Sequence, residues 1–210
     1  MSAPVVRLHL YFAREAPRAV ILRQGPARQF RMILWHTDTD AFEDGQWVKR
    51  KVYTERCAIS PDGRHFIYFM LDGKWHAEAE GAYTAVCRPP HFTALALFPE
   101  GSTWGGGGEF IDARHFVASG GGDIIGGAKG LERLGRAAPT PENATGLVRA
   151  DGSRAALAPD VRHRLLEGDG WRPPLDRYDT QGGCLYRRHG GGMELIRDFT
   201  AMRFEGEAPP

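Results

Sequence analysis

The feature that most restricts what this chain can fold into is its rhythm of short apolar runs, each closed by turn-forming residues. Val6, Leu8, Leu10 and Phe12 alternate with Arg7, His9 and Tyr11, and a period of two gives a strand one buried face. Residues 19–22 form a second apolar run, ended by Gln24, Gly25 and Pro26. Residues 29–36 read as a strand with Phe30, Met32 and Leu34 on one face and Ile33 and Trp35 on the other. The most regular stretch is 53–101. A short strand over 56–59 runs into Ser60, Pro61, Asp62 and Gly63, where proline presets φ and Asp-Gly tolerates the positive φ of a hairpin. Strands are expected over 64–71, 83–88 and 93–98, the last apolar on both faces and so covered on both sides. An alternating strand left open at its edge invites aggregation, so residues 5–12 are expected to pair with a strand near the C-terminus.

Elsewhere the pattern loosens. Residues 38–45 read as a polar turn region before Gln46, Trp47 and Val48. Residues 104–130 are glycine-rich, with one strand expected over 114–118, and 131–137 suits about two helical turns before Pro139. The whole of 119–146 is expected to be a glycine-rich surface excursion. Strand signals return at 147–150, 183–188 and 193–204, with a hairpin turn at Asp151, Gly152 and Ser153. Proline at 159 and glycine at 168 bracket a short helix. The sum is an all-β chain, residues 1–210 forming a single mainly β domain, with more than a third strand and under a tenth helix.

One segment goes further. Residues 57–68, with Ser60, Pro61, Asp62, Gly63 and Arg64 ahead of an apolar strand, resemble the blade signature of β-propellers of the WD-repeat kind. Trp35, His36, Thr37, Asp38, Thr39 and Asp40 echo the Trp/Tyr-Asp-x-x-Thr turn of such blades, and residues 148–153 echo it more weakly. Ala19, Tyr53, Trp104 and Leu147 are spaced at roughly one blade length of 40 to 50 residues. The Gly-His and Trp-Asp pairs of WD repeats are missing, and the chain has room for four or five blades at most. The resemblance implies a small or incomplete propeller-like array of antiparallel hairpins; a β-sandwich is the alternative.

The 27 basic and 26 acidic residues nearly cancel, which supplies no global attraction to a phosphate backbone or an anionic membrane. Nucleic acid is therefore disfavoured as a partner. No apolar run is long enough to span a bilayer. The first residues lack the basic start and apolar stretch of a signal peptide. Cys57, Cys87 and Cys184 are odd in number and far apart, as expected of free thiols in a reducing, cytoplasmic setting rather than of a disulfide framework.

Few residues suggest chemistry. His36, Asp38 and Asp40 share one face if the strand continues through them, and an imidazole with two carboxylates suits a divalent metal. The competing reading is a turn in which the Asp and Thr side chains cap backbone groups. The glycine runs at 105–108 and 120–127 fit neither the P-loop nor the dinucleotide pattern, and close backbone packing is the simpler expectation. Arg88 with His91, and Arg187 and Arg188 with His189, are basic clusters at strand ends that suit an acidic partner. Trp75 and Trp104 lie in polar or glycine-rich surroundings, as aromatic anchors at a binding surface would. No nucleophile elbow is present. The sequence thus points to a non-catalytic protein-interaction module without a cofactor, binding another protein through Arg88, His91 and Trp104. The alternative is a metal-dependent hydrolase built on His36, Asp38 and Asp40.

Overall fold

The computed structural model describes residues 5–206. Strands make up 41% of it, and the one α-helix has nine residues. Strands β1 (Arg7–Phe12), β2 (Arg18–Gln24), β3 (Gln29–His36) and β4 (Ala41–Lys49) form an up-and-down antiparallel sheet. In the second sheet, β5 (Lys51–Val52) and β6 (Ala58–Ile59) both pair with β7 (Phe66–Leu71), which continues to β8 (Ala82–Cys87) and β9 (Ala94–Pro99). A third sheet comprises β10 (Gly108–Phe110), β11 (His115–Ala118) and β12 (Glu132–Arg133), the last pair parallel. A small ribbon of β13 (Gly135–Arg136) and β14 (Leu147–Val148) follows. Helix α1 (Pro159–Glu167) then leads to a meander of β15 (Tyr178–Gln181), β16 (Cys184–His189) and β17 (Gly192–Asp198).

These sheets stack face to face, and the alternation along each strand explains how. In β2 and β3, Val20, Leu22, Phe30 and Met32 point into a layer shared with Phe66, Tyr68 and Met70 of β7. Ala19, Ile21, Ile33 and Trp35 point the other way, against Leu185 and Phe199. The first sheet is therefore covered on both faces. The far face of the second sheet, with Ile67, Val86, Ala96 and Phe98, packs on Phe116 and Ala118 of β11. Beyond that, Ile111, Leu134, Leu147 and Val161 join the third sheet, the ribbon and α1 in a smaller layer. At about 1.5–3 kcal/mol for each large apolar side chain buried, these layers supply the main drive to fold. Among the described residues none of the sheets closes on itself.

Several local readings hold. Gly63 has φ 71° and donates its N–H to the Ser60 carbonyl at 2.9 Å. The buried Ser60 hydroxyl accepts the amides of Arg64 and His65 at 3.1 and 2.9 Å and donates to Asp62. Helix α1 starts at Pro159 and is capped at Gly168, whose amide bonds the Arg164 carbonyl. As expected, Ala96 and Phe98 on one face of β9, and Ala94 and Leu97 on the other, all meet packed layers.

Others are corrected. Strand β1 pairs only with β2 in the described sheets, not with a C-terminal strand. The C-terminal meander instead lies across the face of the first sheet, where Leu185 and Phe199 meet Leu8 and Phe12. Buried Arg23 fixes the segment after β17 by donating to the carbonyls of Phe199, Thr200 and Met202 at 3.2 to 3.3 Å. Residues 131–137 are not helical: β12 and β13 occupy them, because Leu134 faces inward and its amide bonds the Phe116 carbonyl. The polar stretch at 41–45 belongs to β4, whose outer half turns its polar residues to solvent. The last strand ends at Asp198 rather than 204.

Candidate functional site

A cleft of about 800 Å³ opens between the third sheet and the β13–β14 ribbon. The layers around β2, β3 and β7 are packed with large apolar side chains such as Phe30, Met32, Trp35 and Phe66. Here the lining carries few large apolar side chains: Val117 and Leu134 stand among glycine, alanine, serine and arginine. The glycines cannot be exchanged freely. A Cβ on Gly106 would sit 2.2 Å from the Phe69 ring, and one on Gly107 2.7 Å from the Arg56 carbonyl oxygen. The Gly107 amide also donates to Thr84 Oγ1 at 2.8 Å. Close backbone packing is thus the role of this glycine run.

Three arginines border the cleft. Arg133 is structural: it donates to the carbonyls of Ala118, Gly120 and Gly121 and lies 4.2 Å over the Phe98 ring. Burial lowers its pKa, opposed by the charges of Glu100 and Asp123, yet a guanidinium stays cationic. Arg136 and Arg149 are more accessible. Arg136 pairs with Glu109, both side chains more than half exposed, and Arg149 pairs with Glu132 at 3.1 Å. Exposed pairs of this kind are worth little, about 0–1 kcal/mol, so an incoming carboxylate can exchange with them. Behind Glu132 lies His115, whose Nδ1 is 2.8 Å from Asp112 and whose Nε2 is 3.4 Å from Glu132. Burial works to raise the Asp112 pKa, but hydrogen bonds from His115 and the Arg114 amide outweigh it and hold the carboxyl below its ordinary value.

Trp104 lies two residues before Gly106, which lines the cleft, and is 92% exposed. Two residues span at most about 7 Å, so the Trp104 backbone lies within that distance of the cleft lining. That backbone is pinned on both sides, because the Arg56 guanidinium donates to the carbonyls of Thr103 and Gly105. That guanidinium in turn lies over the rings of Tyr53 and Phe69 at 5.4 Å. A second exposed indole, Trp75, belongs to the loop joining β7 and β8, at the same end of the second sheet.

Arg88 and His91 are elsewhere. Both are exposed in the turn between β8 and β9, whereas Trp104 follows β9 at the other end of those strands. Six residues of strand separate the two ends by roughly 20 Å, so the structure does not gather Arg88, His91 and Trp104 into one surface. Nor does it gather His36, Asp38 and Asp40. His36 Nε2 is 2.7 Å from Glu43, and Asp38 is exposed in the turn. Asp40 accepts from Trp35 Nε1 at 3.1 Å and from Arg187 at 2.8 and 2.9 Å. Asp40 has φ 56°, so extended geometry stops before it, and the shared strand face on which the metal reading depends is lost. Among the described residues no group of three or more His, Cys, Asp or Glu side chains is arranged to hold a metal ion. Arg187 and His189 of the second basic cluster are engaged by Asp40 and Glu194.

No family model matches this chain, and no curated protein or solved structure matches it either.

Proposed function

We propose that the protein is an interaction module that docks an acidic, extended segment of another protein across the cleft beside Trp104. The observation that carries this reading is Trp104 itself, exposed on a backbone that Arg56 holds on both sides. Exposing an indole costs solvation free energy, and the backbone that carries it, already held by Arg56, need not be ordered when a partner covers the ring. Tryptophan and arginine are the residues that most often dominate binding energy, and Arg136 and Arg149 stand nearby to meet carboxylates. The near-balance of charge over the whole chain favours a protein partner over nucleic acid. The polar side chains lining the cleft, three arginines, one serine and a carboxylate already paired with arginine, suit recognition better than acid–base chemistry.

The successive face-to-face stacking of hairpin sheets supports a small, open propeller-like array as the scaffold, with loops at the sheet ends available for binding. The free cysteines support a reducing, cytoplasmic setting. A panel of extended peptides, with and without acidic residues flanking an apolar side chain, tests the reading. Acidic peptides should bind, and Trp104→Ala should weaken them by about 2 kcal/mol. Affinity unchanged by Trp104→Ala, or a preference for basic peptides, overturns it.

A further inference from the structure

The cleft opens where a parallel strand ladder stops short. Along β11 and the chain running from β12 into β13, the Glu132 amide donates to the Arg114 carbonyl and the Leu134 amide to the Phe116 carbonyl, both at 2.8 Å. Parallel rungs recur at even spacing, so the next would join the Ala118 amide to the Leu134 carbonyl and the Arg136 amide to the Ala118 carbonyl. Among the described residues neither forms: the paired register ends at Phe116 and Arg133. The Arg133 guanidinium takes the Ala118 carbonyl instead, at 3.1 and 2.7 Å. We infer that the acidic segment is received here as an added β-strand, held through its main chain by the rungs that β11 and β13 leave unmade. The inference rests on the docking reading above and adds how the partner is gripped.

Strand phase fixes where the unused groups point. The Ser119 amide bonds the Gly107 carbonyl at 2.9 Å, so Ala118, one residue back, turns its main-chain groups away from β10. The Ala137 amide bonds the Gly146 carbonyl at 2.7 Å, so Arg136 turns its own away from β14, to the side on which Leu134 meets β11. Ala118, Leu134 and Arg136 all line the cleft. The far side of β14 is closed, because the Ala155 amide donates to the Leu147 carbonyl at 3.1 Å and Val148 bridges Arg154. The open edge of the ribbon is therefore at β13, and unpaired edge groups are a template for another chain.

The free groups select the occupant. A small anion would satisfy the amides of Ala118 and Arg136 but would offer nothing to the Leu134 carbonyl between them. An extended peptide offers donors and acceptors at the strand repeat. Running parallel to β13, one of its residues donates to the Leu134 carbonyl and accepts from the Arg136 amide, as Ala118 would have done. Successive residues of a strand present main-chain groups to opposite sides, so the carbonyl of a neighbouring residue accepts from the Ala118 amide.

The probe is a peptide, acetyl-Ser-Asp-Glu-Leu-Glu-Asp-Ser-amide, titrated calorimetrically into the full-length protein while each residue in turn is N-methylated. Losses of about tenfold or more are expected at alternate residues, those whose amides face β13. On the protein side, Arg136→Ala removes the side chain and Arg136→Pro removes the amide as well. That amide bonds nothing within the protein, and proline is tolerated where a strand turns its amide outward. The two variants should therefore melt alike, while Arg136→Pro binds the peptide about tenfold more weakly than Arg136→Ala. Full affinity at every N-methylated position, or equal affinity of the two variants, would overturn the inference and leave the docking reading standing. Failure of the unmodified peptide to bind would remove the docking reading and the inference with it. A dimer that the peptide does not dissociate would place a second copy of the chain on this edge and overturn the inference as well. The N-methyl scan uses the unaltered protein, so it decides the matter even if Arg136→Pro fails to fold.

Discussion

The first two sheets and the region that follows them, residues 7–99 against 108–198, are held together by different means. In the first region the main strands run six to nine residues and alternate large apolar side chains between two packed layers. In the second, β12, β13 and β14 have two residues each and glycine is abundant. Side chains there do not fill every layer, and guanidinium groups bond backbone carbonyls, as Arg23 does in the first region. Arg133 closes the glycine loop on its own carbonyls, Arg164 donates to the Ile111 carbonyl and Arg154 to that of Glu142. Where glycines thin out the packing, the carbonyl–arginine clamps keep the shape and a cleft remains.

This difference can be broken experimentally. Trp35, fully buried between the first sheet and the C-terminal meander, should be the most costly to truncate. Trp35→Ala is expected to lose about 3–5 kcal/mol in chemical denaturation, and a loss below about 1 kcal/mol would mean that this layer is not a packed core. Arg133→Met keeps the stem but removes the clamp. It should cost about 1–3 kcal/mol through carbonyls left without their donor, and it should speed amide exchange and proteolysis at 120–127 while sparing β2 and β3. Uniform loosening of both regions would erase the distinction. Gly63→Val places a Cβ 2.8 Å from that of Arg18 at a positive φ, so a loss of about 1 kcal/mol or more is expected, read as a lower melting temperature.

The smallest effect is acidic. The folded-state pKa of Asp112 is held below its unfolded value, so its stabilising contribution is complete above the unfolded value of about 4 and fades as pH falls through the folded one. Asp112→Asn should therefore be less stable than the parent at neutral pH, and the gap should narrow in acid. A gap that widens in acid would show that the network of Asp112, His115 and Glu132 does not favour the carboxylate.

The same division governs how much the sequence reveals. Strand β3 and the turn at Ser60–Gly63 are legible because alternation and turn chemistry are local. Most of β4 is not, since Glu43 and Asp44 face solvent and read as a turn. Leu131, Leu134 and Ala137 suit a helical face equally well, and only pairing with residues 115–116 and 147–148 makes strands of their neighbourhood. The cleft is harder still. Trp104 carries a signal, an aromatic among glycines. Arg56, Arg136 and Arg149 carry none, because their roles arise from contacts with residues distant in the chain. Arg88 and His91 look like partners of Trp104 along the sequence, yet a six-residue strand puts them at opposite ends of a sheet.

Those two ends provide the most direct test of the proposed interaction site. A photoreactive benzoylphenylalanine placed at position 104 and, separately, at position 91 would be irradiated in extract of the native host, with products resolved by mass. Specific cross-links to a discrete partner are expected from position 104, are lost when Arg136 and Arg149 are changed to glutamate, and are absent from position 91. Cross-links confined to position 91, or cross-links from 104 that ignore the two arginines, would contradict the account.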